Sequence, residues 1–237
     1  GGSKIADAIV AAAQQSGIPF NPDFNGEKQE GTGFFQTTTG HNRRWNSAQA
    51  YLRHLKPGPN LCVRTNAHAT RIVFDNDRAV GIEYRHNGQL RQSRARGEII
   101  VCGGAFGTPH LLQLSGIGPA EHLRSHGITP LHDFAAVGGH LLDHLYASLM
   151  FRCHQPITIN ELANSPIRKV MAGIQYLLMR KGPLSNNGIF AGVYTRSDAG
   201  QDRPNLQINT NIWTVESRTS AGMKAPRWSG FPQSRYW

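Results

Sequence analysis

The sequence predicts a mixed α/β fold, and three observations carry that reading. An apolar strand pattern over 98–102 runs through Gly103-Gly104 into helical spacing. Between 69 and 95, short alternating segments carry Asn87-Gly88, a strong hairpin signal because a tight two-residue turn wants positive φ at both positions. Amphipathic helical spacing over 3–15 and 165–181 brackets both.

Taken in order, residues 3–15 read as a helix. Ser3 is its expected cap, Asp7 lies in its first turns, and Ile5, Ile9, Ala12 and Ala13 share a face. Gly17 ends it and Pro19 prevents its return. Residues 19–46 are rich in Gly, Asn, Thr and Pro, so they form a long loop with at most short strands. Loops of that length are usually functional or drape over a neighbouring domain. Residues 47–54 read as a short helix capped by Ser47 and closed by Pro57-Gly58-Pro59. Short strands follow at 61–65, 69–75, 79–86 and 89–95, the last three forming an antiparallel meander. Residues 98–102 then restore a main sheet. Thr108 is the expected N-cap of the next helix and Pro109 a first-turn residue, where no amide partner is needed. Leu111, Leu112 and Leu114 give its apolar face, and Gly116 stops it. Further on come a helix at 119–126, an extended stretch at 128–134 and a strand at 145–153. Ser165-Pro166 opens an amphipathic helix with Ile167, Val170, Met171, Ile174, Leu177 and Leu178 as apolar positions. Arg180 and Lys181 suit its C-terminal dipole. Strands are expected at 189–195 and 205–212, and the polar stretch from Val215 has no clear pattern.

Bulk properties exclude several classes. The 237 residues carry 25 basic and 15 acidic side chains, a net charge of +10. The basic residues are scattered. The densest group, Arg85, Arg91, Arg94 and Arg96, alternates as a solvated strand face would, with no aromatic interleaving for base stacking. Nucleic acid is therefore not an expected partner. No apolar run approaches a membrane span. Cys62, Cys102 and Cys153 are odd in number and far apart, which fits small buried residues in a reducing, cytoplasmic setting rather than a disulfide framework. No secretory signal is visible, and the Gly1-Gly2 start without methionine suits an internal fragment.

The chemistry-bearing stretch is 98–118. A strand, a glycine turn and a helix N-terminus together make a place for a phosphate or a flat cofactor. The alternative is a tight packing turn. Two histidine pairs four apart, His122/His126 and His140/His144, invite a metal reading. Neither has the spacing of a His-Glu-x-x-His site and no third ligand is evident, so no metal is expected.

The stretch Gly104-Ala-Phe-Gly-Thr-Pro-His-Leu-Leu-Gln-Leu-Ser-Gly-Ile-Gly118 resembles the second signature of the glucose–methanol–choline (GMC) flavoprotein oxidoreductases. Asp23-Phe-Asn-Gly26, Gln29-Glu-Gly-Thr-Gly33, Arg78-Ala-Val-Gly-Ile-Glu-Tyr84 and Val137-Gly-Gly-His-Leu-Leu-Asp-His144 also resemble family text, so the likeness covers nearly the whole chain. The resemblance implies part of an FAD-binding, Rossmann-like domain with an inserted antiparallel meander, plus the start of an antiparallel-sheet substrate domain. The implied division is 1–59 as a bridging helix and loop, 60–145 as flavin domain and 146–237 as substrate domain. It implies hydride transfer from an alcohol to FAD, with an aldehyde or ketone as product.

Residue by residue, the resemblance points to Cys102, Gly103 and Ala105 on the cofactor side of the turn. Ala69 stands where the family usually has a valine that meets adenine through its main chain. Asp143 and His144 match a run close to the flavin in which His140 replaces the usual asparagine. Asn187 and Phe190 fall in the substrate pocket, Phe190 where a glutamate often faces a cationic substrate. A phenyl ring there speaks for a neutral or more apolar alcohol than choline. The family's Gly-x-Gly-x-x-Gly turn, which holds the pyrophosphate, does not occur in this sequence, nor does a match to the catalytic histidine segment. No catalytic residue is therefore assigned. Two other readings remain open at this point: a non-catalytic remnant or interaction module with the same fold, and, more distantly, a metal-dependent hydrolase.

Overall fold

The computed structural model describes residues 3–55, 58, 60–185, 188–214, 217–219, 222–224 and 230–236. The chain divides into two compact units, Gly1–Leu55 with His144–Trp237, and Lys56–Asp143.

The first unit begins with α1, Lys4–Gln15, whose buried Ile5, Ala6, Val10 and Ala13 recur at helical spacing. Ser3 makes no side-chain cap; its carbonyl accepts from Asp7 N at 3.0 Å instead. Gly17 ends the helix at φ +87°. The following loop is tied by Asn21, whose side-chain amide donates to the carbonyls of Lys28 and Glu30 at 2.8 and 3.1 Å. It delivers β1, Gly31–Phe34, and then the two-residue strands β2, Thr39–Gly40, and β3, Arg43–Arg44. A π-helical turn follows at Ala48–Leu52. Its cap is Asn46, whose Oδ1 accepts from Gln49 N at 2.9 Å, and not the expected Ser47.

In the second unit the meander is β4, Ala67–Asp75, β5, Arg78–His86, and β6, Gln89–Arg94, in spatial order. Asn87 and Gly88 take φ +51° and +77°, as the hairpin signal required. The strand expected at 61–65 does not form. Residues 98–102 belong to no strand, and Ile100 is 76% exposed. The expected buried strand is not formed: the apolar residues are there, but no neighbouring strand among the described residues supplies a ladder. Next come α2, Gly104–Leu114, β7, Ile117–Gly118, α3, Ala120–Ser125, and β8, His132–Asp133, which pairs parallel to β7. The α2 helix starts four residues before the expected cap, so Pro109 lies inside it.

Ser115 joins the meander to α2. Its buried hydroxyl donates to Leu111 O at 2.6 Å and accepts from Ile72 N of β4 at 2.8 Å.

Returning to the first unit, β9, Tyr146–Arg152, is exposed along its whole length. A short helix that the sequence did not signal, α4, Ile159–Ala163, precedes α5, Pro166–Met179. Ser165 Oγ caps α5 as expected, accepting from Arg168 N at 3.4 Å. A 3₁₀ turn at Pro183–Ser185 leads to β10, Ile189–Thr195, and β11, Leu206–Asn211. The tail that lacked a pattern forms β12, Ser217–Thr219, β13, Gly222–Lys224, and β14, Gly230–Tyr236. Strands β1, β10, β11, β14 and β9 make one antiparallel sheet in that order. The α1 helix lies over β1 and β10, and the core sits where Ala6 and Val10 meet Ala191 and Phe190. Asn160 anchors α4 to the segment after β11 through a paired amide contact with the backbone of Thr214.

Candidate functional site

The turn before α2 is built for close approach. Gly103 N donates to Thr108 Oγ1 at 3.0 Å, so Thr108 stabilises the turn from inside the helix. A Cβ on Gly103 would press within 2.9 Å of the Gly107 and Thr108 backbone. Gly104 takes φ +77°, a conformation that side chains rarely adopt. On the outer side the space is open: a Cβ on Gly104 or Gly107 would meet nothing within 4 Å. Residues 102–107 are all exposed, and the first turn of α2 holds no acidic side chain against its amide dipole. Pro109 has no N–H to offer the carbonyl of Ala105.

Beside this turn lies a cleft of about 470 Å³, lined in part by Ala105, Phe106, Gln113, His140, Leu141 and Leu142. Gln113 fixes its far wall by donating from Nε2 to Val137 O at 3.0 Å. Gly138 stands at φ +84°, a backbone conformation that other residues rarely adopt, and a Cβ there would also displace the Gln113 side-chain amide. His140 holds φ +58°, a left-handed conformation that asparagine adopts with least strain and histidine tolerates.

Of the residues singled out from sequence, Ala105 lines this cleft, with Cys102 and Gly103 adjoining it in the turn. Ala69 sits in β4 opposite Tyr84, outside the cleft lining, at a bulge before Arg71. Asp143 and His144 are exposed and lie where the two units divide. Phe190, half-buried, lines a separate cavity of about 760 Å³ in the first unit, with Lys4, Thr37, Ile157, Leu162 and Ile212. Asn187 lies outside the described residues.

Sequence reasoning missed a second cavity in that unit, about 780 Å³, bordered by Thr38, Arg43, Tyr176, Tyr194, Gln207 and Asn209. Tyr194 packs at a tilt against Phe24 and edge-on to Phe35, with ring centroids 4.8 and 6.4 Å apart, and burial raises its pKa. The signal was the apolar residues Phe24 and Phe35 inside a stretch otherwise read as loop.

The histidine readings separate. His122 and His126 lie edge to face, with ring centroids 4.7 Å apart. His140 and His144 do not share a helix, since residues 139–145 are not helical. No group of three metal-ligating side chains occurs among the described residues. The cysteines correct an expectation: Cys62 and Cys102 are exposed, and only Cys153 is partly buried, with its thiol pKa raised by desolvation.

Residues 2–146, well over half the chain, match the sequence profile of the GMC oxidoreductases. The chain belongs to the GMC oxidoreductase family. This GMC chain is 40% identical to an alcohol dehydrogenase [acceptor] of Pseudomonas putida over 87% of its own length and 38% of the relative's. It is also 40% identical to an oxygen-dependent choline dehydrogenase of Stenotrophomonas maltophilia, over 88% and 37% respectively. The GMC chain thus spans under two-fifths of these relatives. Solved structures agree on the fold. A formate oxidase of Aspergillus oryzae, studied for modification of its FAD, superposes with TM-score 0.83 at 20% identity, covering 98% of this chain and 44% of that one. Pyridoxine 4-oxidase from Mesorbium loti gives 0.79 at 21% identity, with 99% and 42% covered.

Proposed function

We propose that this chain forms part of an FAD-dependent oxidoreductase that acts on the CH–OH group of an alcohol and yields an aldehyde or ketone. The observation that carries the reading is the open glycine turn at 102–105 beside the cleft walled by 138–142. The turn fits a flat, anionic cofactor: its backbone is exposed, its outer face is empty of side chains, and no carboxylate opposes the helix dipole. FAD, when bound, supplies the hydride acceptor.

In this reading Cys102, Gly103 and Ala105 present backbone to the cofactor. Gln113 positions the 138–142 wall. Ala69 offers its main chain, and Asp143 and His144 offer polar groups. Asn187 and Phe190 border the alcohol, and the phenyl ring favours a neutral or apolar substrate. The flavin part corresponds to 60–145 and the substrate part to 146–237, with 1–59 bridging them. The P. putida and S. maltophilia relatives, an alcohol and a choline dehydrogenase, support an alcohol as substrate. The free thiols of Cys62, Cys102 and Cys153 support a reducing, cytoplasmic setting. No helix among the described residues is long and apolar enough to cross a membrane.

Because this sequence has no Gly-x-Gly-x-x-Gly turn, these residues hold one side of the cofactor only. Titration of FAD into the purified chain, followed by flavin fluorescence, should give weak saturable quenching and no turnover of an alcohol. Tight binding with turnover would show that the pyrophosphate and catalytic groups had been misassigned. No quenching at any attainable FAD concentration would remove the cofactor reading.

A further inference from the structure

The cavity of about 760 Å³ that Phe190 borders has two kinds of wall. One is apolar, made by Ile157, Ile159, Leu162, Phe190 and Ile212. It is held in shape from behind. Ile159 N donates to Ile212 O at 3.0 Å, and the Asn160–Thr214 amide pair locks α4 to the segment after β11. Phe190 packs on the buried Ala6, Val10 and Ala191. Ile212 is itself buried, and Ile159 and Leu162 are half-buried.

The other wall is cationic. Lys4, in the first turn of α1, and Lys181, just past the end of α5, both line the cavity. Neither ammonium has an ion-pair partner among the described residues. Lys4 also stands at the positive end of the α1 dipole, where a negative charge and not a second positive one is favoured. The lining contains no Asp or Glu. Asp7 and Glu161, close in sequence to lining residues, lie outside it: Asp7 is exposed on α1, and Glu161 pairs with Arg168 at 3.5 Å. Between the two walls stand the hydroxyls of Thr37 and Thr39, with their Oγ1 atoms 3.2 Å apart.

We infer that this cavity takes an aliphatic alcohol that carries a carboxylate at its far end, a hydroxy acid. The inference rests on the reading that Phe190 borders the alcohol. The phenyl ring and the branched aliphatic side chains select an apolar chain, whose burial drives entry. The two lysines select what that chain carries. A carboxylate meets two unpaired ammonium groups, whereas a quaternary ammonium group meets like charges and no carboxylate.

The purified full chain is titrated in a calorimeter with 8-hydroxyoctanoate, with 1,8-octanediol, which has the same chain length without the charge, and with choline. The hydroxy acid should bind about tenfold more tightly than the diol, as two exposed ion pairs allow, and choline should give no heat of binding. That advantage should shrink as salt increases. Lys4→Gln with Lys181→Gln, which leaves the apolar wall in place, should bring the hydroxy acid down to the diol and leave the diol unchanged. Lys169→Gln, on α5 but outside the lining, should change neither ligand. Ile157→Gln, at the rim of the apolar wall, should weaken both. Circular dichroism matching the parent chain shows that each variant is folded. Equal affinity for hydroxy acid and diol, or an advantage that survives the double lysine variant, would overturn the inference and leave the alcohol reading standing. No binding of either ligand, or binding of both that Ile157→Gln does not weaken, would remove the alcohol from this cavity and the inference with it.

Discussion

Replacing Asn160 by alanine removes one side chain and leaves two buried backbone groups without a partner. Asn160 Nδ2 donates to Thr214 O at 3.0 Å, and Thr214 N donates to Asn160 Oδ1 at 2.9 Å. The two residues are 1% and 2% exposed, so water does not replace the lost contacts. A buried polar group left unmade costs about 1–3 kcal/mol, and the carbonyl, with a second lone pair, falls at the low end. The pair together therefore amounts to about 2–4 kcal/mol. For a domain of this size each kcal/mol moves Tm by about 2–4 °C, so thermal unfolding followed by circular dichroism should shift down by about 4–16 °C. Lys169→Ala, an exposed control, should stay within about 0.5 kcal/mol of the parent. A shift of less than 1 °C for Asn160→Ala would refute the claim that this amide pair clamps α4 to the end of β11.

Ser115→Ala should destabilise the second unit by about 1–3 kcal/mol in urea unfolding, because the Ile72 N–H loses its acceptor inside the protein. Gly138→Ala combines a left-handed φ of +84° with a collision against Gln113, so it should cost about 1–3 kcal/mol; adding Gln113→Ala should recover only the collision part. Asp198 has a lowered carboxyl pKa, first through the Ser197 hydroxyl, then through Gln201 and the Gly200 N–H. Its contribution is thus present above the ordinary carboxylate range and is lost as pH falls through its lower folded value. A carboxyl NMR titration should show Asp198 titrating below the ordinary aspartate range; a midpoint within or above that range would contradict it.

Much of the fold was legible because local signals were strong. Asn87-Gly88 fixed the hairpin, Ser165-Pro166 the start of α5, and Gly17 and Gly116 the ends of α1 and α2. The misreadings have physical causes. Thr108 is not the N-cap but accepts from Gly103 N from within the helix, so its residue type placed the boundary five residues late. Residues 98–102 have the composition of a buried strand, yet a strand forms only when a neighbour completes its ladder. The apolar positions of α5 showed that the helix is amphipathic but not that they are exposed, because periodicity carries no sign. β14 could not be read from its own residues: its register is imposed by β9 and β11 on either side. At the site, the turn at 102–105 was visible as glycine spacing. Its closeness to 138–142 depends on Gln113 reaching Val137, a contact across 24 residues that no local pattern encodes.

The central claim, that the turn at 102–105 faces a flavin, is tested most directly through Cys102. Its thiol is exposed and free, and Cys62 in the same unit is an exposed internal control. Maleimide labelling with peptide-resolved mass spectrometry, run with and without millimolar FAD, reports on both at once. The account predicts that FAD slows labelling of Cys102 several-fold and leaves Cys62 unchanged. Equal rates at Cys102 with and without FAD, or equal slowing at both thiols, would contradict it.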